Sequence, residues 1–200
     1  MARIAILDYG MGNLRSVEKA LERVGTASVI SADHAEVRGA DGVILPGVGA
    51  FPTAIGRVRD LGLDELVAER AATGVPVLGI CLGLQLLFDS TTELGGAQGL
   101  GLIPGPVTEI DAQGLKVPHI GWSPVRWERE SPLIAGIEDE TPFYFVHSFA
   151  PRPGEDASLG TAAYGTRFAC AAEQGSVFGV QFHPEKSSSA GLRLLHNFAG

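Results

Sequence analysis

Hydrophobic positions along the chain fall into two rhythms. In residues 3–8, "RIAILD", apolar residues run almost without a break, the pattern of a strand buried on both faces. Across 14–25, "LRSVEKALERVG", they recur every third or fourth position. Leu14, Val17, Leu21 and Val24 then share one helical face, and Gly25 supplies a stop. "ASVI" (27–30) and "DGVILPG" (41–47) read as the next strands, around a connection too short for a full helix. Thr53 to Arg70 reads as helical, and Gly74 and Pro76 close the way into a further apolar run, "VPVLGI" (75–80). Strands alternating with helices predict an α/β protein with a mostly parallel sheet and helices on both faces.

From about Gly95 to Ala172 the rhythm changes. Gly, Pro and aromatic residues punctuate short β-like runs such as "GPVTEI", "FYFVHSF" and "FACAAEQ", which predicts an antiparallel or mixed excursion rather than further βαβ units. The last piece, "VFGVQFHPEKSSSAGLRLLHNF", reads as a strand, a polar turn and a helix with Leu192, Leu195 and Phe198 on one face. No repeat, low-complexity segment or linker interrupts the chain, so residues 1–200 are expected to form one domain.

Composition narrows the function classes. With 45% hydrophobic and 19% charged residues, and 27 glycines and 12 prolines spread throughout, the chain has an ordinary globular make-up with many tight turns. A net charge of -8 and no Lys/Arg cluster exclude a nucleic-acid footprint. The amino terminus reads as a strand without the apolar run of a signal peptide, and no apolar stretch is long enough for a membrane span. Cys81 and Cys170 are the only cysteines. That count fits the reducing cytoplasm better than a disulfide framework.

Candidate chemistry gathers around Cys81. Gly79-Ile80-Cys81-Leu82-Gly83 has the form of a nucleophile elbow, in which a sharp strand-to-helix turn demands small neighbours and displays the central side chain. At a helix amino terminus the partial positive charge favours the reactive thiolate. On this evidence a nucleophile and an inert buried cysteine remain equally open. Cys170 lacks these features and reads as core. "GVQFHPE" adds a base with its orienter: His183 and Glu185, two residues apart, would point to one side of an extended chain, stiffened by Pro184. His34 and His196 read as surface or helix residues, and His119 and His147 as structural. Metal binding is not expected, because no C-x-x-C or H-x-x-x-H spacing occurs. "LPGVGAF" (45–51) offers Gly-flanked N–H groups as oxyanion donors, alongside the N–H of Leu82. "GMG" at 10–12 fails as a dinucleotide fingerprint, since the third glycine position is Arg15.

Together, "PGVGAF", "GICLGLQLLF" and "GVQFHPEKS" resemble the class I (triad) glutamine amidotransferases. More narrowly, "DYGMGNLRSVEKAL", "PHIGW", "FYFVHSF" and "HPEKSSSAGLRLLHNF" look like the branch of glutaminase subunits that serve imidazole glycerol phosphate synthesis. The likeness spans residues 4–198. It implies a single-domain, flavodoxin-like α/β fold: a central, mostly parallel mixed sheet flanked by helices, with a small antiparallel excursion in the second half.

The resemblance also implies roles. Cys81 would be the nucleophile, His183 the general base and acid, and Glu185 the residue orienting His183. The N–H of Leu82, and that of Val48 after its loop adjusts, would hold the oxyanion. Gln85 and Glu93 would hold L-glutamine, Glu93 through the α-amino group, with Gly49 and the backbone at Ser148 and Phe149 positioning the rest. No cofactor is implied. Ammonia would pass to a separate (βα)8-barrel cyclase subunit in histidine biosynthesis, for which 200 residues leave no room. Asn13, Trp122, Tyr144 and Lys186 match positions at or near that heterodimer interface. Ser123, where asparagine is expected, and Phe149, where tyrosine is common, depart from the pattern. Two other readings compete: a triad amidotransferase of another pathway, against which "YGMGN" and "PHIGW" weigh, and a non-catalytic module on the same fold.

Overall fold

The computed structural model describes residues 2–200. In chain order its elements are β1 (Arg3–Leu7), α1 (Leu14–Arg23), β2 (Ala27–Ser31), α2 (His34–Arg38), β3 (Gly42–Gly47), α3 (Phe51–Asp60), α4 (Leu63–Ala72), β4 (Val77–Cys81), α5 (Leu82–Leu86) and β5 (Phe88–Thr91). There follow β6 (Ala97–Gln98), β7 (Ile103–Glu109), β8 (His119–Trp127), β9 (Thr141–His147), β10 (Phe149–Pro151), β11 (Ser158–Tyr164), β12 (Thr166–Gln174), β13 (Val177–Val180) and α6 (Ser188–Ala199).

A nine-stranded sheet runs in the order β2-β1-β3-β4-β13-β12-β11-β8-β9. The half from β2 to β13 is parallel, and the half from β13 to β9 is antiparallel. A second sheet, β10-β7-β5-β6, stands beside it. The sheet is therefore mixed, as expected, with an antiparallel part as wide as the parallel one. Short β-runs between Gly and Pro gave no sign that they would extend the same sheet.

The unbroken apolar runs have a direct cause. Along β1, Ile4 and Ile6 pack into one core with Val17 and Leu21 of α1 and Leu194, Leu195 and Phe198 of α6. Ala5 and Leu7, pointing the other way, pack with Val37 of α2, Val58 of α3 and Leu66 of α4. Both faces are covered, so both parities must be apolar. In α6 Leu195 and Phe198 are buried as expected, together with Leu194, whereas Leu192 is only partly covered.

One expectation needs correction. The region 53–70 is two helices, because Gly62 adopts φ 64° and the chain turns at Leu61–Gly62. Apolar spacing continues across that glycine, so periodicity alone concealed the break. The connection between β2 and β3 holds a single helical turn, α2, capped by the Asp33 side chain on Glu36 N–H at 2.9 Å. The helix after Cys81 is also short: α5 ends at Leu86, and Phe88 already lies in β5.

Candidate active site

Three neighbouring strands deliver the chemistry. β3 and β4 are parallel, with Gly47 paired to Cys81, and β13 flanks β4 on the other side, Val180 beside Ile80. Past these ends the chain continues as Val48–Gly49, as Leu82 and as Gln181–His183, at the carboxyl edge where sites of open α/β sheets form.

Cys81 sits at φ 55°, ψ -109°, a strained conformation for a residue with a Cβ. Its glycine neighbours are required by close approach. A Cβ on Gly79 would come within 2.6 Å of Gly83 O and Leu84 N, and one on Gly83 would overlap the Leu45 carbonyl of β3. The elbow thus packs against both its own helix and the adjacent strand. Display to open solvent was expected; Cys81 is instead only 6% exposed. It faces a cavity of about 290 Å³ lined also by Val48, Gly49, Leu82, Gln85, Glu93, Val146, His147, Ser148, Phe149, His183 and Lys186. With α5 only five residues long, its dipole is small. Polar neighbours of the sulfur include Val146 O and Gln181 Nε2, each at 3.7 Å, besides the His183 side chain.

His183 is 5% exposed and its Nδ1 lies 2.9 Å from Glu185 Oε1. A carboxylate only accepts, so Nδ1 carries a proton toward Glu185 and Nε2 is the nitrogen left for Cys81. Burial lowers the imidazole pKa, but hydrogen bonds to Cys81 and Glu185 outweigh it and raise the value to about 10. An extended chain was expected to align the pair. The turn is instead a short 3-10 helix, Pro184–Lys186, which brings Glu185 back onto its own neighbour. Ser187 Oγ ties the turn down, donating to His183 O at 2.6 Å and accepting Tyr144 N–H at 3.0 Å.

Every residue expected to act on the reacting group or the substrate lines the cavity, except Glu185, which stands behind His183. Glu93 has a second attachment: its Oε2 accepts Phe51 N–H at 2.8 Å and caps α3. Tyr9 donates to Pro46 O at 2.6 Å, anchoring the start of the Val48–Gly49 loop, and burial raises its pKa, with Cys81 adding to the effect. Of the residues expected at a partner surface, three cluster. Trp122, 51% exposed, meets Tyr144 edge-on at 5.9 Å, and Lys186 Nζ lies 5.9 Å over the Tyr144 ring. Lys186 also reaches the cavity rim. Asn13 stands exposed at the start of α1, with no side-chain cap bond.

Two cavity neighbours escaped sequence reading. His147, which reads as structural in the sequence, lines the cavity. Gln181 is fully buried and touches the Cys81 sulfur. A lone polar residue inside the apolar run "FGVQF" was the available signal. Cys170 is wholly buried in the core, as expected, and burial pushes its thiol pKa well up. Among the described residues no group of three or more His, Cys, Asp or Glu is placed to hold a metal. No helix among them is long and apolar enough to cross a membrane.

The family model for class-I glutamine amidotransferases matches residues 5–199. The chain belongs to the class-I glutamine amidotransferase family. Among relatives of this amidotransferase, imidazole glycerol phosphate synthase subunit HisH of Moorella thermoacetica is 52% identical over 99% of this chain and 94% of its own. The protein of the same name from Geobacillus kaustophilus is 46% identical over 98% and 96%. A crystal structure of a glutamine amidotransferase superposes with a TM-score of 0.78 at 23% identity, covering 98% of each chain. PurLQS from Thermotoga maritima does so at 0.76 and 19%, covering 99% and 98%. At those identities the two structures speak for the fold alone.

Proposed function

We propose that residues 1–200 act as one amidotransferase unit, the glutaminase subunit of an imidazole glycerol phosphate synthase. It hydrolyses L-glutamine to glutamate and ammonia for a cyclase subunit of (βα)8-barrel type, in the cytoplasm. The observation that carries the chemistry is the strained Cys81 sharing one cavity with His183, whose Nδ1 is held by Glu185 at 2.9 Å. Kinship at 52% identity over nearly the whole chain carries the pathway.

In this reading the Cys81 thiolate attacks the side-chain carboxamide carbon. A C–S bond forms, and the carbonyl electron pair moves onto oxygen. The resulting oxyanion lies beside the Leu82 N–H, which has no partner within its helix, and the Val48 N–H. His183 Nε2 gives its proton to the departing nitrogen, and ammonia leaves as the C–N bond breaks. Water, deprotonated by the same nitrogen, then cleaves the γ-glutamyl thioester and frees glutamate. Glu185 keeps the imidazole ring in the tautomer that both steps need. Glu93 takes the α-ammonium through the carboxylate oxygen not used on Phe51, and Gln85, Gly49 and the Ser148–Phe149 backbone hold the remainder of the substrate.

An exposed apolar cluster fits the proposed partner surface: Ile120 is 58% and Trp122 51% exposed on the outer face of β8. Tyr144 and Lys186 adjoin that cluster, and Asn13 belongs to the same proposed surface. The test is glutamate release by the chain with and without a (βα)8 cyclase carrying its ligand. Release is expected to be feeble alone and strong in the complex, and to vanish in Cys81→Ala. Full activity of Cys81→Ala would refute the mechanism, and a lack of response to the cyclase would refute the pathway.

A further inference from the structure

Gln181 is polar, 0% exposed and outside the triad, which calls for an account of its bonds. Its Nε2 lies 3.7 Å from Cys81 Sγ, and its Oε1 lies 3.0 Å from Gln85 Nε2. Gln85 Nε2 is also 2.9 Å from the Phe149 carbonyl. The same carbonyl oxygen stands 2.9 Å from His147 Nδ1. His147 Nε2 meets His119 Nδ1 at 3.0 Å, and His119 Nε2 meets Ser123 Oγ at 2.9 Å. A continuous polar chain therefore crosses the core from the inner face of β8 to the sulfur.

One atom sets the direction of every link. The Phe149 carbonyl only accepts, so Gln85 must turn its NH2 group toward it, and His147 must carry its proton on Nδ1. On one arm, Gln85 spends both amide hydrogens, on Phe149 and Gln181. Gln181 must then present oxygen to Gln85 and N–H to Cys81. On the other arm, His147 accepts at Nε2, His119 donates from Nδ1, and Ser123 donates to His119 Nε2. Both rings are neutral in this arrangement. Burial lowers the pKa of each, that of His147 to about 4. Gln85 is left with its carbonyl oxygen as the single unused polar atom of its side chain, at the wall of the cavity.

We propose that His119, His147 and Gln181 are positioning residues for glutamine binding, which hold Gln85 with its carbonyl oxygen turned to the substrate and fix the Phe149 backbone. This rests on the reading of the cavity as a glutamine site. His119 tests it best, because it does not line the cavity. His119→Leu leaves His147 Nε2 without its donor, and the ring is free to release Phe149. His119→Asn keeps an N–H near the position of Nδ1 and serves as the rescue.

In the complex with the cyclase, His119→Leu is expected to raise KM for glutamine about tenfold, the cost of one buried unsatisfied group, with kcat changed less than twofold. His119→Asn is expected to stay near wild type. Alkylation of Cys81 by iodoacetamide, read without glutamine, should be alike in wild type and both variants, which controls for folding. An unchanged KM in His119→Leu overturns the proposal, and so does an equal rise in His119→Asn, which would mark simple loss of packing. Failure of the underlying reading looks different: wild type itself would neither hydrolyse glutamine nor, as Cys81→Ala, bind it in a calorimeter.

Discussion

At Cys81 the backbone is held at φ 55° by a glycine on each side of a tight turn. Gly83→Ala would drive a methyl into the Leu45 carbonyl and should destabilise the protein by about 1–3 kcal/mol in urea titration, slowing Cys81 alkylation as the elbow shifts. His183 is the other exacting residue. Removing the base as His183→Asn should lower kcat by about 10²- to 10⁴-fold in the complex, measured as glutamate release. The residues that make and break bonds were legible in "GICLG" and "HPE" because backbone strain and acid–base pairing demand particular residue types at fixed spacing. Gln181, His147 and Tyr9 were not. Their partners are 100, 2 and 37 positions away, respectively, and His147's nearby partner is a backbone oxygen, which carries no residue identity.

Among the elements, the parallel half of the sheet was readable since strands buried on both faces are apolar at every position. The two-helix segment 51–72 was not, because a left-handed turn at Gly62 leaves the hydrophobic spacing intact. Gly62→Ala should cost about 1 kcal/mol for its φ of 64°, and the new methyl would also press on His34 at 3.2 Å. Urea midpoints would measure it. The antiparallel half rests on aromatic packing: Phe143 stacks on Phe182 at 4.0 Å, and both are fully buried. Phe143→Ala should lower stability by about 3–5 kcal/mol, and because β9 also carries Tyr144, whose carbonyl accepts His183 N–H at 2.9 Å, activity should fall along with it.

For the whole molecule, two buried histidines oppose each other in pH dependence. The His183 pKa rises from 6.5 to about 10 on folding, so its contribution is full below pH 6.5 and is lost as pH climbs toward 10. The His147 pKa falls from 6.5 to about 4; its contribution is full above pH 6.5 and is lost as pH drops toward 4. Tm should peak near neutrality, His183→Asn should flatten the alkaline limb, and His147→Asn the acid limb. Trp122→Ala should leave Tm unchanged and weaken association with the cyclase about thirtyfold or more in a calorimetric titration, the scale of a buried aromatic anchor. Beneath these effects lies the pairing of Gly47 with Cys81. Adjacent strands stand about 4.8 Å apart, so the hydrogen-bonded ladder serves as a ruler between the nucleophile and the loop that receives negative charge. Helices and surface loops can drift in sequence without altering that length. A slip of one residue between β3 and β4 would turn Cys81 to the opposite face of the sheet. The tolerance of this site is therefore set by strand register, and the chemistry should persist through wide sequence change and then fail abruptly.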